Sequence, residues 1–212
     1  MVLKIVYDNT SCRSDLQSDW GFAAVVGTGK RQILFDAGAD GAILLDNMAK
    51  MEIDPAKIDT VFISHHHFDH TGGLAAFLAR NRHVTVYVPN SLRGVRRADE
   101  VIQVAESCRL TDDLFSTGEL GGIEQSLIGM TPDGVILVVG CAHPGLAVMM
   151  EAASQYGPIA AIAGGFHHFQ DLHLLKNIRK ICPTHCTRAV KQIQAVFPDQ
   201  FIPGGVGRIF EL

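Results

Sequence analysis

The sequence predicts an α/β fold, because short β-type runs alternate with helical segments along most of the chain. Hydrophobic residues make up 47% of the chain and glycines number 21, a mixture typical of α/β proteins with many tight connections. At 212 residues the chain is long enough for a substantial core. We expect a single domain, residues 1–212, built from two halves that meet near residues 120–130.

The first half contains apolar and β-branched runs that are typical of strands. They lie at residues 3–7, 22–27, 32–38, 59–64 and 84–89. Helical spacing of apolar residues predicts helices at 41–51 and 71–80, the second of which Thr71 can cap. Residues 90–124 form the least regular region, and we expect loops over a helix there.

The second half repeats an order in which a strand is followed by a ligand-type side chain and then by a helix. Strands are predicted at 134–140, 159–165 and 205–212, with a short extended piece at 182–186. Helices are predicted at 146–155, 171–181 and 187–196. Because the carboxyl ends of strands converge along one rim of a sheet, we expect the polar residues that follow them to lie close together.

Charge and cysteine content exclude several classes of protein. A formal net charge of −4 gives no general attraction to nucleic acid or to acidic membranes, so neither is expected as a partner. No apolar run reaches the roughly 18–20 residues of a membrane span, and the start, "MVLKIVYDN", is typical of a strand rather than of a signal peptide. Five scattered cysteines make a poor disulfide framework and favour a cytoplasmic location.

The stretch "FISHHHFDHTGGL" (62–74) places four histidines and one aspartate in six positions after an apolar run. Imidazoles that can become charged repel one another and resist burial, so such a cluster indicates binding. His65 and His67 share one side and can hold one metal ion, while Asp69 and His70 can address a second. Three further histidines follow strand-like runs: His143, His167 and His185. Imidazole and carboxylate ligands suit zinc, with manganese or iron as alternatives.

Other histidines and cysteines have simpler interpretations. A chance cluster of surface histidines is the alternative to a metal site, and it suits isolated residues such as His83 and His173. His66 and His168 each lie next to a stronger candidate ligand, so their side chains are expected to point away from the metal ions. The most that we expect of them is to support the ligands or to contact substrate. A structural zinc knuckle in "CPTHC" (182–186) is disfavoured, because the spacing is not Cys-x-x-Cys and no second cysteine pair exists.

The His-x-His-x-Asp-His pattern of residues 65–70 resembles the signature of the metallo-β-lactamase fold superfamily, and "ILFDAG" resembles its early strand. The chain is similar in particular to the dihydropterin–ribofuranosylaminobenzene phosphate synthase-like subgroup, over residues 3–210. The blocks that carry this similarity are "TGE" (117–119), "EQSL" (124–127), "DGVILVVGCAHPG" (133–145), "IAGGFH" (162–167) and "PTHCT" (183–187). Only "LGGI" separates the first two blocks, where the subgroup carries a longer insertion, so a more open site is expected.

The resemblance implies a four-layer αββα sandwich with two divalent metal ions, most simply zinc. It implies that one ion is held by His65, His67 and His143, that the other is held by Asp69, His70 and His185, and that Asp36 supports the ligands without binding an ion. His167 occupies the position at which most relatives carry a bridging aspartate. A neutral imidazole offers one lone pair and cannot bridge two ions, so the second site is expected to be weaker or differently coordinated.

The expected function is that of a metal-dependent hydrolase or pterin-type transferase that uses a metal-activated hydroxide on a phosphorylated or ester small molecule. Asp69 would orient the hydroxide and carry a proton. His168 and three arginines are candidates for contacting substrate: Arg93, Arg96 and Arg97. The alternative for the arginines is a solvated helix face balanced by Asp99 and Glu100. The alternatives for the protein are an iron-containing redox or sensing module and a metal-free scaffold.

Overall fold

Two β-sheets packed face to face form the centre of the protein, in a computed structural model that describes residues 1–29 and 31–211. The strands are, in chain order, β1 (Val2–Tyr7), β2 (Ala23–Gly27), β3 (Gln32–Phe35), β4 (Thr60–Phe62), β5 (Thr85–Pro89), β6 (Glu100–Val104), β7 (Glu106–Arg109), β8 (Leu114–Gly118), β9 (Leu127–Thr131), β10 (Gly134–Val139), β11 (Ile159–Gly165), β12 (Lys180–Thr184) and β13 (Ile209–Glu211). The first sheet has the order β13-β1-β2-β3-β4-β5-β6, and the second has the order β12-β11-β10-β9-β8-β7.

Helices cover the outer face of each sheet. They are α1 (Gly41–Lys50), α2 (Phe68–Thr71), α3 (Leu74–Arg80), α4 (Leu146–Ser154) and α5 (Val190–Val196), with 3₁₀ turns at Pro55–Lys57 and Leu172–Leu175. The start of α1 is fixed by Asp40, whose side chain accepts hydrogen bonds from the backbone N–H groups of Ala42 and Ile43. Among the described residues, no helix is long and apolar enough to cross a membrane.

Three apolar clusters separate these layers and confirm the αββα sandwich. The cluster between the sheets combines Phe22, Phe35 and Phe62 of the first sheet with Ile136 and Ala163 of the second, all fully buried. A second cluster packs α1 and α3 onto the first sheet, and a third packs α4 and α5 onto the second. Inner strands such as β10 and β11 therefore have apolar contacts on both faces, which explains why their sequences are nearly continuous hydrophobic runs.

Two regions differ from the sequence prediction. The helix predicted at 171–181 is wrong, since only the turn Leu172–Leu175 is helical and Lys180–Thr184 pairs in parallel with β11. Residues 90–124 contain three strands, β6, β7 and β8, rather than loops over a helix. The last predicted strand is present as Ile209–Glu211, while Leu212 lies outside the described residues.

The two halves are connected near residue 105, where the chain crosses between the sheets, and are in contact again near residues 120–130. The chain passes from the first sheet to the second between Val104 and Glu106. The segment near 120–130 then contacts the first half, because Gln125 donates from its backbone N–H to the carbonyl of Ser64 and from its side-chain amide to the carbonyl of Ile63, both at 2.9 Å. Treating residues 1–212 as a single domain stays a prediction.

Parallel pairing brings the functional residues to one rim. Strands β3 to β6 run parallel in the first sheet, and β10 to β12 run parallel in the second. The segments that leave β4, β10, β11 and β12 carry His65, His143, His167 and His185 respectively. Their side chains meet where the carboxyl ends of the two sheets adjoin.

Candidate metal centre

The structure brings the six predicted ligands together as two adjacent triplets. Within each triplet, one possible ligand atom from every residue lies within 4.8 Å of the others. The triplets are His65, His67 and His143, here called the first triplet, and Asp69, His70 and His185, here called the second triplet. Rings of the two triplets are in contact, since the centroids of His65 and His70 are 4.2 Å apart.

The spacing of the first triplet fits one tetrahedral ion. Nε2 of His65 lies 3.2 Å from Nδ1 of His67. Two nitrogens bound to zinc at 2.0–2.1 Å with a tetrahedral angle are separated by about 3.3 Å. Nε2 of His143 is buried and has no hydrogen-bond partner, a costly arrangement that binding of a cation would relieve.

The second triplet also has closely spaced ligand atoms, one of which is buried without a hydrogen-bond partner. Nε2 of His185 lies 3.2 Å from Oδ2 of Asp69, yet the pair does not have the geometry of a hydrogen bond, and this nitrogen is buried without a partner. Nε2 of His70 is 4.0 Å from the same oxygen. Two nitrogens and a carboxylate oxygen that face a common point without bonding one another are a suitable donor set for zinc, manganese or iron.

Asp36 orients one histidine of each triplet, His70 directly and His65 through Ser64. Its carboxylate is fully buried and accepts hydrogen bonds of 2.7 Å from Nδ1–H of His70 and from the hydroxyl of Ser64. Because the Ser64 hydroxyl donates to Asp36, its oxygen accepts from Nδ1–H of His65, 2.8 Å away. Both imidazoles therefore present Nε2 to the metal centre, the arrangement that metal-binding histidines require.

Asn9 orients the ring of His185, as Asp36 and Ser64 orient those of His70 and His65. This role of Asn9 was not predicted from the sequence. Oδ1 of Asn9 is 3.0 Å from Nδ1 of His185, and its amide donates to the His185 carbonyl at 3.0 Å. Asp8 accepts from the His185 backbone N–H at 2.9 Å. These contacts join positions 176 and 177 residues apart. No local pattern could have indicated them.

Glu124 is a second residue that sequence reasoning missed. It is fully buried, and its two oxygens accept backbone N–H groups of Cys141, Ala142 and His143 at 2.8–3.0 Å. This cradle fixes the loop that carries His143. Burial raises the pKa of Glu124, and the three N–H groups oppose that shift. The available signal was the acidic residue of the "EQSL" block, which lies in an otherwise buried stretch.

Electrostatics favour neutral rings at His65 and His143 and an ionised carboxylate at Asp69, whereas they favour a protonated ring at His70. Burial, assisted by neighbouring imidazoles, lowers the pKa of His65 well below its usual range and that of His143 to about 4. Burial would raise the pKa of Asp69, but contact with His185 and the charge of His70 outweigh it, so the pKa falls. Burial would lower the pKa of His70, but Asp36 outweighs it and the pKa rises.

Backbone strain is concentrated here. Among the described residues, six non-glycine residues have positive φ, and four of them belong to this region: Asp36, Ala142, His167 and His185. Such conformations are costly and persist where the surrounding contacts hold them, typically at functional sites. Two of the four have such support: Asp8 accepts from the His185 backbone and Asn9 contacts its ring, while Glu124 accepts from the Ala142 backbone.

His167 lies beside the first triplet. Its ring centroid is 4.9 Å from that of His143, and its Nδ1 is buried without a partner. Together with His143 and the exposed His168, it lines a cavity of about 430 Å³ whose other wall is apolar, from Leu146 and Phe166. This cavity adjoins the ligands and is the natural place for a substrate.

The three predicted arginines lie elsewhere. Arg93, Arg96 and Arg97 are exposed in a segment without regular structure, so the solvated helix face considered for them is wrong. They line a different cavity, of about 320 Å³, which contains none of the six ligands. Arg188, exposed and following β12, instead shares a small cavity with His168.

Two cysteines that sequence reasoning set aside lie within the metal centre. Sγ of Cys141 is 3.2 Å from Nε2 of His70 and 3.2 Å from Sγ of Cys186. The hydrogen bond between the thiols and burial raise the pKa of Cys141. The same hydrogen bond lowers the pKa of Cys186 to about 7, against the opposing effect of burial. The available signal was the Cys-x-His spacing of Cys141 and His143, which repeats that of His65 and His67.

Comparison with known proteins gives the same architecture. The chain is 25% identical, over an alignment 249 positions long, to the 7,8-dihydropterin-6-methyl-4-(beta-D-ribofuranosyl)-aminobenzene-5'-phosphate synthase of Methanocaldococcus jannaschii, with 86% of this chain and 85% of the relative covered. This confirms the resemblance to that subgroup.

Two solved structures show the same fold. One is Tm1679, a metal-dependent hydrolase of the beta-lactamase superfamily, with a TM-score of 0.81, 23% identity and coverage of 100% of this chain and 99% of that chain. The other is a diphosphatase of the PhnP family, with a TM-score of 0.66, 12% identity and coverage of 100% and 97%. The family profile of the metallo-beta-lactamase superfamily matches residues 21–143, more than half of the sequence. The chain belongs to the metallo-beta-lactamase superfamily.

Proposed function

We propose that the protein is a dinuclear metal-dependent hydrolase that acts on a phosphorylated or ester small molecule. The observation that carries the proposal is the pair of adjacent triplets whose buried nitrogens on His143 and His185 have no hydrogen-bond partner. The first triplet would hold one ion and the second triplet the other, with zinc as the expected metal. When bound, the ions would lower the pKa of a water from 15.7 to about 7 and polarise the bond under attack.

Asp69 is the proposed catalytic residue. Its side chain is 20% exposed while that of His185 beside it is fully buried, so Asp69 can reach both the second triplet and solvent. Oδ2 faces the second triplet, which leaves the other oxygen able to accept a proton from the attacking water and to deliver it to the leaving group. The neighbouring ring nitrogens would be occupied by the ions, and Nδ1 of His70 is engaged by Asp36, so these rings do not compete for this role.

Substrate would enter the cavity between His143 and His168. An apolar wall of Leu146 and Phe166 suits the body of a small molecule, and Arg188 beside His168 suits an anionic group such as phosphate. Among the described residues, the structure shows no acidic ion-pair partner for Arg188. This placement favours Arg188 over the three arginines of the separate cavity.

Metal analysis followed by a substrate panel tests the proposal. We expect two equivalents of a colourless divalent metal and turnover of at least one class among phosphodiesters, phosphomonoesters, lactones and thioesters. Arg188→Ala should raise KM for phosphorylated substrates, whereas the matched variant Arg93→Ala should not. Iron with visible absorption and no hydrolysis would support the redox alternative instead.

A second candidate is a pterin-type transferase, and the synthase from Methanocaldococcus jannaschii is the observation that favours it. The same ligands and the same cavity would serve, because transfer to water and transfer to another acceptor differ in the attacking group. Product analysis with a phosphorylated aminobenzene and a dihydropterin separates the two reactions. A coupled product indicates transfer, and release of the phosphorylated fragment alone indicates hydrolysis.

A further inference from the structure

Cys141 lies between the two triplets. Its sulfur falls within 4.8 Å of ligand nitrogens in His65 and His143 of the first triplet and in His70 and His185 of the second. The separation from Nε2 of His70 is 3.2 Å. Within the part of the chain that the structure describes, Cys141 is the one residue outside the triplets that approaches ligands of both.

Burial alone does not explain this position. A buried cysteine usually packs as a small apolar residue. Cys141 is 3% exposed, but its sulfur lies within 4.8 Å of ring nitrogens of four histidines of the triplets, and Glu124 fixes its backbone by accepting its N–H at 2.8 Å. Cys141 could instead serve only as a hydrogen-bond partner of His70. That role would not explain why Nε2 of His143 and Nε2 of His185 are buried without partners. The surroundings of the sulfur are those of a ligand.

The balance of charge between two divalent ions and the triplets also favours Cys141 as a ligand. Two divalent ions bring four positive charges, whereas the two triplets supply one negative charge, on Asp69, and five neutral imidazoles. His167 cannot bridge the ions, because a neutral imidazole has one free lone pair. A thiolate adds a negative charge and has lone pairs for two bonds. Two bonds of about 2.3 Å from one sulfur span ions that are about 3.5–4 Å apart.

We propose that the thiolate of Cys141 is a ligand shared by both ions, in place of a bridging aspartate. The inference rests on the proposed two-ion function and adds a ligand to it. On binding, the S–H bond breaks, the proton leaves to solvent, and the sulfur bonds to each ion, with no change of oxidation state. A thiolate also favours zinc, cobalt or cadmium over manganese and magnesium.

Cys186 provides a matched comparison. Its sulfur lies 3.2 Å from that of Cys141, so both thiols share nearly the same surroundings. Cys186 groups with Cys141 and His185, on the side of the second triplet, and with none of the first-triplet residues. Replacing each cysteine by serine therefore separates a shared ligand from a neighbouring thiol that hydrogen-bonds to it.

Cobalt binding under non-thiol reductant tests the proposal. Metal-free protein titrated with Co²⁺ should take up two equivalents and develop a sulfur-to-cobalt charge-transfer band. The band should persist in Cys186→Ser and vanish in Cys141→Ser. The second-ion affinity of Cys141→Ser should also fall by more than about 100-fold, because losing a mere supporting partner of a ligand already costs about 10–100-fold. Two equivalents without the band, or a band that vanishes only in Cys186→Ser, would overturn the inference and leave the proposed function standing.

Cadmium NMR on the wild-type protein decides whether the sulfur is shared, even if Cys141→Ser fails to fold. With two ¹¹³Cd ions bound, a shared thiolate shifts both resonances into the range of sulfur ligation. One shifted resonance would mean that Cys141 binds a single ion, which overturns the shared ligand. Uptake of fewer than two equivalents would contradict the dinuclear function itself and the inference with it.

Discussion

Asp69 lies within the metal centre, whereas His66 of the same histidine-rich stretch does not. His66, three residues earlier in the same stretch, is exposed and belongs to neither triplet, whereas Asp69 contacts His185 across the metal centre. We expect Asp69→Ala to lower turnover by at least about 10²–10⁴-fold, the usual contribution of a positioned proton carrier, while the fold stays intact. Activity, metal content and far-UV circular dichroism measure these effects. His66→Ala is the matched control, and near-normal turnover in metal-loaded Asp69→Ala would refute the assigned role.

His143 should make the metal-free protein sensitive to acid. Its pKa is about 4 in the folded protein against an ordinary value of 6.5, because burial disfavours the charged ring. Between these pH values the unfolded chain binds a proton that the folded protein excludes, so stability is lost as pH falls from 6.5 to 4. We expect His143→Asn to lose less stability than the wild type over that range, as measured by urea unfolding. His83→Asn, with an exposed side chain, is the control, and parallel pH profiles for wild type and His143→Asn would contradict the argument.

Candidate ligands could be recognised in the sequence because each is a histidine or aspartate at or after the end of an apolar run. His65, His67 and Asp69 also carry a recognisable spacing. Cys141 was missed because its Cys-x-His spacing with His143 is a weak signal, and a buried cysteine is usually a small apolar core residue. Asn9 was missed because its contact with His185 joins positions 176 residues apart. Glu124 was missed because nothing in its spacing shows that its carboxylate accepts from the loop that carries His143.

At the scale of elements, the ends of β4 and β10 approach so closely that a side chain does not fit between them. A Cβ added to Gly140 would overlap Oγ of Ser64 and lie 2.7 Å from its Cβ. Ser64 in turn holds His65 and Asp36. We expect Gly140→Ala to destabilise the protein by about 1–3 kcal/mol and to weaken metal binding at the first triplet.

Thermal unfolding and zinc titration measure these two effects. Gly27→Ala in β2 is a suitable control, because the nearest atom to its added Cβ is the Val2 carbonyl oxygen at 3.9 Å. That variant should change stability by less than about 0.5 kcal/mol. If Gly140→Ala behaves like the control, the close approach does not position the ligands.

Elements with continuous apolar runs were predicted well, and elements whose identity depends on pairing were not. The buried strands β10 and β11 stood out by composition alone, as did α1 by its periodicity. Residues 171–181 have helical apolar spacing, yet Ile181 lies in a strand because it pairs in parallel with Ile162 of β11. The edge strands β6 and β7 are largely exposed, so neither has the buried apolar run of an inner strand, and the sequence of β7, ESCR, is also poor in strand-forming residues.

Across the whole molecule, the metal centre joins the two sheets. The stretch 65–70 follows β4 of the first sheet, whereas His143 and His185 follow β10 and β12 of the second. Ions held by both parts would therefore act as crosslinks that exist only in the folded protein. The four-layer architecture was predictable from the family resemblance, but the contacts of Gln125 with Ile63 and Ser64 that bring the halves together depend on tertiary packing.

Removal of metal should consequently lower the stability of the entire protein. A ligand present at 100 times its Kd stabilises the folded state by about 2.7 kcal/mol, and each kcal/mol shifts Tm by roughly 2–4 °C in a protein of this size. We expect chelation to lower Tm by about 5–10 °C and re-addition of zinc to restore it. Trp20 is the single tryptophan and its ring lies 4.9 Å from that of His185, so its fluorescence reports metal binding and unfolding in one sample. His173→Ala, on the turn after β11, should keep the full shift, whereas His185→Ala should lose much of it. Coincident melting curves with and without zinc would show that the two sheets are not joined through bound metal.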